Sequence, residues 1–438
     1  MLRSCITVMA LLLSTTAQAL PQVESWVTAK GTKVLFVAAH ELPMVDVRVV
    51  FDAGSARDAA QPGLASLTNA LLDQGAAGLN ADAIATGFEE RGAQVGNGAD
   101  RDTAWLSLRS LSDKKLLEPS LALFGKVLLK PDFPAVDFKR MQQNTLTSLE
   151  YQKQRPGTIA DKAFYRAVYG KHPYASDPTG TEDSVAALKV KDLKTFYRHY
   201  YVAANATLVI VGDVSRQQAE AMAVSLADTL PKGQKAASLP AVTAQNAGKT
   251  RFIAHPSSQS HVLMGAPGVR RGDPDYFVLY VGNHILGGSG LVSRISEEIR
   301  EKRGLSYSAY SYFIPLKRKG PYTLGFQTRN DQRNEALSVM RDTVKSFVKD
   351  GPTNKELKAS KNNIIGGFPL RVASNSKITE YLAMIGFYDL PLDYLSTFTD
   401  NIKAVTADQI HDAYQRRVKV DDMVTVIVGG ELPADQGS

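Results

Sequence analysis

The second half of this sequence repeats the first. Residues 208–213 (LVIVGD) match residues 425–430 (TVIVGG), and the offset of 217 between them also aligns Tyr197 with Tyr414. Two further pairs follow at nearly the same offset: residues 138–146 with 357–365, and residues 70–75 with 284–289. Matches in the same order at a nearly constant offset indicate one supersecondary plan used twice. The chain is therefore predicted to consist of two homologous domains.

The pattern within each half predicts an α+β fold. Short apolar or alternating segments, such as residues 45–49 (VDVRV) and 206–211, are typical of strands. Long amphipathic stretches at 113–129 and 135–152 are typical of helices. Strand pairs mixed with runs of helices fit a mostly antiparallel sheet covered by helices on one face, in two domains of about 200 residues each.

The division of the chain is predicted from local composition. Residues 1–19 combine Arg3, an apolar run and a final AQA, which is the layout of a secretory signal peptide. Residues 20–231 are the first predicted domain, 232–249 a linker, and 250–438 the second domain. The apolar run is too short to span a bilayer, and no later stretch approaches that length. We expect an exported, soluble, periplasmic protein.

Cysteine usage and charge exclude several classes of protein. The one cysteine, Cys5, lies in the predicted signal peptide, so the mature chain has no thiol and no disulfide. The formal charge of +7 comes from 51 basic and 44 acidic residues that are mixed along the chain. A scattered, modest excess of this kind does not indicate nucleic-acid binding.

A candidate site lies in residues 287–313. A glycine-rich turn at 287–290 precedes a predicted amphipathic helix, and residues 305–314 are predicted as a tyrosine-rich strand. Gly304 is the predicted stop between them, because a left-handed residue lets the last helical carbonyls find partners. The apolar stripe of this helix is predicted to contain Leu291, Val292, Ile295 and Ile299.

Arg300 and Tyr307 lie on either side of this stop. Arg300 falls in the last turn of the predicted helix and Tyr307 falls early in the predicted strand. Their side chains are therefore predicted to lie close together. Two interpretations stay open from this segment alone: a functional pair, or a cation that stabilises the helix C-terminus without any further role.

The segment IREKRGLSY, with its glycine-rich lead-in, resembles the second-domain signature of the pitrilysin-type (M16) metallopeptidases. The resemblance extends over almost the whole mature chain, through a Gly-Leu-Ala helix at 63–65, HPY at 172–174, GTE at 180–182 and the VGD strand end at 211–213. It implies the duplicated M16/LuxS-like metallohydrolase fold. It also implies that Arg300 and Tyr307 help bind substrate and stabilise the tetrahedral oxyanion.

The zinc motif of that family is degenerate in this sequence. Active members carry H-x-x-E-H in the helix after Gly-Leu-Ala, where two histidines bind zinc and the glutamate activates water. Here the corresponding positions hold Ser66, Asn69 and Ala70. The third ligand of the family would fall near Thr147 or Ser148, and Glu150 is out of register. The resemblance therefore implies no catalytic zinc in this chain.

Other catalytic patterns are absent from the sequence. No two histidines lie three or four residues apart, as a helical metal site would need. No G-x-S-x-G nucleophile elbow occurs, and the glycines at 287–290 lack the lysine of a phosphate-binding loop.

Two functions remain for such a chain. In several bacterial and organellar pairs of the family, one subunit holds zinc while its partner keeps the Arg and Tyr, as in processing-peptidase-type proteins. This sequence resembles that non-metal partner, which implies a heterodimer with a zinc-bearing M16 subunit and a peptide or unfolded polypeptide as substrate. The alternative is a catalytically inactive peptide-binding or scaffold protein of the cell envelope.

Overall fold

A computed structural model describes residues 22–244 and 247–431, and the predicted signal peptide at 1–19 lies outside these residues. The strands of the first half are β1 (Glu24–Val27), β2 (Lys33–Ala38), β3 (Met44–Phe51), β4 (Gly75–Ala76), β5 (Leu79–Asn80), β6 (Gln94–Ala99), β7 (Ala104–Leu111) and β8 (Ala206–Gly212). Its helices are α1 (Leu64–Ala70), α2 (Ala81–Glu89), α3 (Lys114–Leu129), α4 (Ala135–Gln152), α5 (Pro156–Tyr169), α6 (Glu182–Ala187), α7 (Val190–Tyr200) and α8 (Arg216–Leu226).

The second half contains fewer strands. They are β9 (Thr250–Ile253), β10 (Gln259–Pro267), β11 (Ala309–Phe313), β12 (Pro321–Arg329) and β13 (Val424–Val428). The helices are α9 (Tyr276–Asn283), α10 (Arg294–Ser296), α11 (Arg333–Asp350), α12 (Asn354–Arg371), α13 (Asn375–Phe387), α14 (Tyr394–Ala404) and α15 (Ala407–Arg417). The π-helical turns His284–Gly288 and Glu297–Glu301 extend α9 and α10. Within the described residues, no helix has both the length and the apolar character needed to cross a membrane.

The two main sheets share one topology. The first has the strand order β1-β2-β8-β3-β7-β6 and the second has the order β11-β12-β10-β13-β9. In each sheet one pair is parallel, β2 with β8 and β9 with β13, and the other neighbours are antiparallel. Read from β9 to β11, the second sheet follows the order of the first sheet from β2 to β6, and no described strand of the second half corresponds to β1. The predicted duplication is confirmed at the level of strand pairing.

A glycine ends the equivalent strand in each half for the same steric reason. Gly212 has φ +144°, and a Cβ there would lie 2.2 Å from the Met44 carbonyl oxygen. Gly429 has φ +140°, and a Cβ there would lie 2.4 Å from the Gln259 carbonyl oxygen. Only glycine fits both the dihedral angle and the close approach of the neighbouring strand. This shared requirement accounts for the repeated Val-Gly signal in the sequence.

One helix of each half packs on the sheet of the other half. Helix α5 of the first half packs on β10 and β13, where Phe164 and Val168 lie in one apolar cluster with Val426 and Val428. Helix α13 of the second half packs on β2, β3 and β8 in the same manner. The sheets were predicted to have helices on one face, and the second face proves to be covered as well. Two hydrophobic clusters therefore contain residues of both halves, while a third is formed by the first half alone.

A buried carboxylate also joins the halves. Asp102 accepts hydrogen bonds from the hydroxyls of Tyr174 (2.6 Å) and Tyr388 (2.9 Å) and from the backbone N–H of Lys317 (2.7 Å). Burial raises the pKa of Asp102 above its usual range. The Lys317 side chain forms an ion pair with Asp52. Since Lys317 lies in the β11–β12 hairpin, these contacts fix that hairpin of the second half against the first half.

The predicted linker is held against both halves. Residues 231–244 have no regular secondary structure. Within them, the Leu239 side chain is buried and its carbonyl accepts a hydrogen bond from Arg318 (2.7 Å). The Pro240 carbonyl lies 3.1 Å from His172 Nε2. This segment is a packed connection rather than a free tether.

Candidate functional site

Helix α1 carries the degenerate metal motif, and its start is fixed by a buried acid. The Asp58 carboxylate accepts the backbone N–H groups of Gly63 and Ala65, each at 2.8 Å. These are donors that the first turn of a helix leaves without intrahelical partners. Burial raises the pKa of Asp58 to about 7. The helix is therefore held by the local fold, independently of any ligand.

Asn69, which is predicted to lie at the position of the family's catalytic glutamate, is buried and hydrogen-bonded within the fold. It is 1% exposed, and its side-chain amide donates to the Trp105 carbonyl (3.2 Å) and to the Tyr201 hydroxyl (3.2 Å). Its own backbone carbonyl accepts a hydrogen bond from Asn97 in β6 (3.3 Å). These bonds tie α1 to β6, β7 and the end of α7. Asn69 therefore acts as a tie within the scaffold.

The second half repeats this arrangement. The offset that aligns residues 70–75 with 284–289 places Asn283 at the position of Asn69. Asn283 is also buried, donates to the Ser311 carbonyl (2.8 Å) and accepts from the Ser311 hydroxyl (2.7 Å). Ser311 lies in β11, the counterpart of β6. A buried asparagine thus lies at this place in both halves, bonded to the edge strand through its backbone carbonyl in the first half and through its side chain in the second.

The remaining motif positions do not form a metal site. The Ser66 hydroxyl donates to the Pro178 carbonyl at 2.7 Å, and Ala70 has no polar side-chain atom. Thr147 and Ser148 are exposed on α4, and Glu150 pairs with Lys153 (3.1 Å). In residues 22–244 and 247–431, no group of three or more His, Cys, Asp and Glu residues could hold a metal ion. The residues present do not fit zinc.

The segment that carries Arg300 begins later than predicted. The Ser293 hydroxyl accepts the backbone N–H of Ser296 (3.3 Å) and so caps α10. Leu291 and Val292 lie before this cap, in a short 3₁₀ turn, and are 61% and 82% exposed. The prediction that both belong to the buried stripe is therefore wrong. The physical reason is Gly290, whose φ of +65° turns the chain outward before the helix starts.

The predicted stop at Gly304 is confirmed. Gly304 has φ +63°, and its N–H donates to the Arg300 carbonyl (2.9 Å) while the Leu305 N–H donates to the Ile299 carbonyl (2.9 Å). These two bonds are typical of a helix that ends in a left-handed residue. They reverse the chain sharply after Arg300.

Tyr307 lies in a turn before β11, and its predicted place inside the strand is wrong. The Ser306 hydroxyl donates to the carbonyls of Ser308 (2.8 Å) and Gln327 (2.7 Å), and the Ser308 N–H donates back to it (3.2 Å). Local bonds of this kind compete with strand pairing, so the strand starts only at Ala309. As a result, Tyr307 projects from the surface and is 83% exposed.

The predicted proximity of Arg300 and Tyr307 is confirmed. The Arg300 guanidinium carbon lies 4.6 Å from the centroid of the Tyr307 ring, within the range of a cation–π contact. Arg300 Nε lies 3.4 Å from a carboxylate oxygen of Glu301. Its Nη1 is buried and has no hydrogen-bond partner among the described residues. The pair thus combines an exposed phenol with a guanidinium whose Nη1 is buried without an acceptor among the described residues.

Arg303 lies three residues further on but is engaged differently. Its guanidinium bonds to the Glu298 carboxylate (2.6 Å) and to the Glu298 carbonyl (2.8 Å). Hydrogen bonds from Lys302 and Arg303 hold the pKa of Glu298 below its usual range. Arg303 is therefore a surface cation paired with Glu298, whereas Arg300 stacks on the Tyr307 ring.

Sequence reasoning missed the structural network around Asn69. The sequence marks this position only as a departure from the family motif. Its partners, Trp105 and Tyr201, lie 36 and 132 residues away along the chain. The available signal was the pair of asparagines, Asn69 and Asn283, that immediately precede the aligned segments 70–75 and 284–289.

Comparisons with known proteins agree on the family. Residues 33–182 match the family described as insulinase (peptidase family M16), and residues 187–364 match the peptidase M16 inactive domain. A crystal structure of a peptidase M16 inactive domain from Pseudomonas fluorescens is 42% identical, with a TM-score of 0.91 over 94% of this chain and 98% of that chain. A duplicated α+β fold with a degenerate metal helix is the class that these features define. The chain belongs to the M16 peptidase family.

Two more distant proteins match nearly the whole chain. A protein named non-peptidase homolog YmxG from Helicobacter pylori is 24% identical over 91% of this chain and 92% of its own length. The periplasmic protease PqqL from Escherichia coli has the same fold, with a TM-score of 0.77 and 15% identity over 98% of this chain and 49% of its own.

Proposed function

We propose that this chain is the non-metal subunit of a heterodimeric M16-type zinc peptidase. It supplies Arg300 and Tyr307, and a zinc-bearing M16 partner supplies the metal site that this chain lacks. The observation that carries the proposal is the placement of the pair: the Arg300 guanidinium carbon lies 4.6 Å from the centroid of the Tyr307 ring, which is 83% exposed, while no group of the described residues could hold a metal ion. An exposed phenol beside a guanidinium offers two kinds of hydrogen-bond donor to a bound peptide.

The roles follow from the chemistry of the two groups. The exposed Tyr307 hydroxyl donates a hydrogen bond to the oxyanion that forms at the scissile carbonyl. Arg300 donates to a neighbouring carbonyl of the peptide, and its stacking on the Tyr307 ring orients the phenol. Donors aimed at developing negative charge are among the largest contributions to catalysis. The partner's zinc would activate the attacking water. The substrate class is a peptide or an unfolded polypeptide.

The compartment and the domain limits belong to the same proposal. Residues 1–19 direct export, and the mature subunit acts in the periplasm. A structural neighbour that is itself titled a periplasmic protease supports this location. The domains are residues 20–231 and 250–438, joined by 232–249. Sheets built from residues 24–212 and 250–428 support this division.

The test is reconstitution from separate chains. The mature chain, a candidate zinc-bearing M16 chain from the same compartment, and their mixture are assayed for peptide hydrolysis and zinc content. We expect no stoichiometric zinc and no hydrolysis from this chain, and activity only from the mixture. One tightly bound zinc per chain with chelator-sensitive activity would overturn the proposal. So would a partner that is equally active alone.

The alternative is an inactive peptide-binding or scaffold protein of the cell envelope. The name of the Helicobacter relative, a non-peptidase homolog, favours it. Under this alternative Arg300 and Tyr307 contribute nothing to hydrolysis by any mixture. The reconstitution assay separates the two functions directly.

A further inference from the structure

The second sheet has an open edge where the first sheet is closed. In the first sheet β1 covers β2 in antiparallel pairing, with Glu24 opposite Phe36. The equivalent of β2 is β9, because Phe36 lies opposite Ile210 and Phe252 lies opposite the equivalent Ile427. Among the described residues no strand pairs with the outer side of β9. The first half therefore shows that one more antiparallel strand fits at this place in the fold.

The outward-facing backbone groups of β9 follow from its bonds to β13. The N–H of Thr425 donates to the Lys249 carbonyl (2.9 Å), and the N–H of Gly429 donates to the Ile253 carbonyl (3.2 Å). In a parallel pair, alternate residues direct their backbone groups to the same neighbour. Thr250 and Phe252 therefore direct their N–H and C=O groups to the open side. An exposed edge of this kind is a ready template for pairing.

A cationic cavity lies beside this edge, on the face that carries the Arg251 and Ile253 side chains. Its volume is about 350 Å³, and its apolar wall includes Leu149, Ile159 and Ala163. It is also lined by four cations and one acid: Lys153, Lys162, Arg166, Arg251 and Glu182.

Two of these cations have no ion-pair partner among the described residues. Lys153 pairs with Glu182 (2.5 Å), and Lys162 lies 3.3 Å from Asp177. Arg166 and Arg251 form no ion pair within the described part of the chain. A strand added at β9 would direct every second side chain over this cavity. The unpaired arginines favour carboxylates at those positions.

We propose that β9 binds an acidic, extended segment of a partner polypeptide as an additional antiparallel strand. Residues of the segment opposite Thr250 and Phe252 exchange backbone hydrogen bonds with β9. Residues opposite Arg251 and Ile253 direct carboxylates toward the cationic cavity. A second copy of this chain is a poorer occupant, because pairing two β9 edges would bring two cationic surfaces together. This site is separate from the Arg300–Tyr307 pair and does not depend on the proposed peptidase role.

The probe is a dye-labelled peptide of eight alternating glutamate and valine residues, titrated into the purified mature chain and followed by fluorescence anisotropy. In the proposed register the glutamates face the cavity, so the valine N–H groups bond to β9 and the glutamate N–H groups point to solvent. N-methylation of the valines should weaken binding at least tenfold. N-methylation of the glutamates, the matched control, should leave it unchanged.

Two protein variants test the cavity. Arg251→Glu on β9 and Arg166→Glu on α5 should each weaken binding about tenfold or more, with unchanged thermal unfolding. The proposal is overturned if both variants bind the peptide as tightly as the unmodified chain does. It is also overturned if the valine-methylated peptide binds as tightly as the unmethylated peptide. A dimer of the unliganded chain that Arg251→Glu dissolves would identify a second copy as the occupant and also overturn it. Tighter peptide binding after removal of residues 432–438 would overturn it in favour of the chain's own C-terminal segment.

Discussion

Polar side chains differ in hydrogen bonding and exposure between helix α1 of the first half and the Arg300–Tyr307 segment of the second half. At α1, Ser66 and Asn69 each find acceptors inside the protein, and Asn69 is 1% exposed. In the second half, Tyr307 is 83% exposed and Arg300 Nη1 has no partner among the described residues. Ser66 and Asn69 thus form part of the scaffold, whereas the exposed Tyr307 leaves its hydroxyl open to a partner from outside the chain.

This difference separates scaffold from function. Residues whose hydrogen bonds are satisfied within the fold contribute to stability, and residues held with free donors are typical of binding and catalytic sites. Changes at α1 should therefore alter stability and leave the assembled activity intact. Changes at Arg300 and Tyr307 should lower the assembled activity and leave stability nearly unchanged.

The largest expected effect is that of Asn69→Glu. The variant places a carboxyl group where no water reaches and breaks two hydrogen bonds, so unfolding free energy should fall by about 3–5 kcal/mol. Burial would raise the folded-state pKa of this carboxyl above its unfolded value of about 4.3. The loss of unfolding free energy should therefore grow as the pH rises above about 4.3, because the new carboxyl group ionises at lower pH in the unfolded state than in the folded state. Urea unfolding at pH 5 and pH 8 measures both effects.

Asn144→Glu is the matched control for that substitution. Asn144 is exposed on α4, and the substitution should change the unfolding free energy by no more than about 0.5 kcal/mol. Equal losses for the two variants would show that Asn69 is not a scaffold tie. The triple change Ser66→His, Asn69→Glu and Ala70→His should create no peptidase activity, because the third carboxylate ligand near Thr147 is still missing.

A smaller effect is expected for Ser66→Ala. It removes the hydrogen bond to the Pro178 carbonyl, which should lower unfolding free energy by about 1 kcal/mol. Hydrolysis by the reconstituted pair should keep its kcat and KM. A loss of activity without a loss of stability would show that Ser66 takes part in hydrolysis. The proposed difference between the two regions would then be wrong.

The smallest stability effects are expected in the second half, where activity is the sensitive quantity. Arg303→Ala should cost about 0.2–1 kcal/mol, the usual range for a surface ion pair such as that with Glu298. Arg300→Ala should be no more destabilising, yet it should lower kcat and raise KM of the reconstituted pair. Arg303→Ala should change neither constant. If both variants harm hydrolysis equally, the effect is one of helix-end charge.

The sequence predicted the features that depend on local signals. The repeated strand ending at Gly212 and Gly429 gave the duplicated fold, because a special dihedral angle requires glycine in both halves. The stop at Gly304 gave the proximity of Arg300 and Tyr307. The stop needed only neighbours along the chain, and the duplication needed only short motifs that recur at a nearly constant offset.

Features that depend on distant contacts were not predictable. The exchange of α5 and α13 between the sheets rests on packing across roughly half the chain length. The late start of β11 rests on a Ser306 bond to Gln327, which no spacing rule reveals. The exposure of Leu291 and Val292 follows from a backbone turn that apolar periodicity alone does not register.

The most direct measurement of the central claim is the hydrolysis rate of the reconstituted pair carrying Tyr307→Phe. The change removes one hydroxyl from an exposed ring, so the stability of the isolated chain should stay within about 0.5 kcal/mol. Loss of one oxyanion donor is worth about 2.7–4 kcal/mol, so kcat should fall about a hundredfold or more. KM should change little, because the hydroxyl acts mainly in the transition state. A fully active Tyr307→Phe pair would contradict the account, since this subunit would then not supply the oxyanion donor.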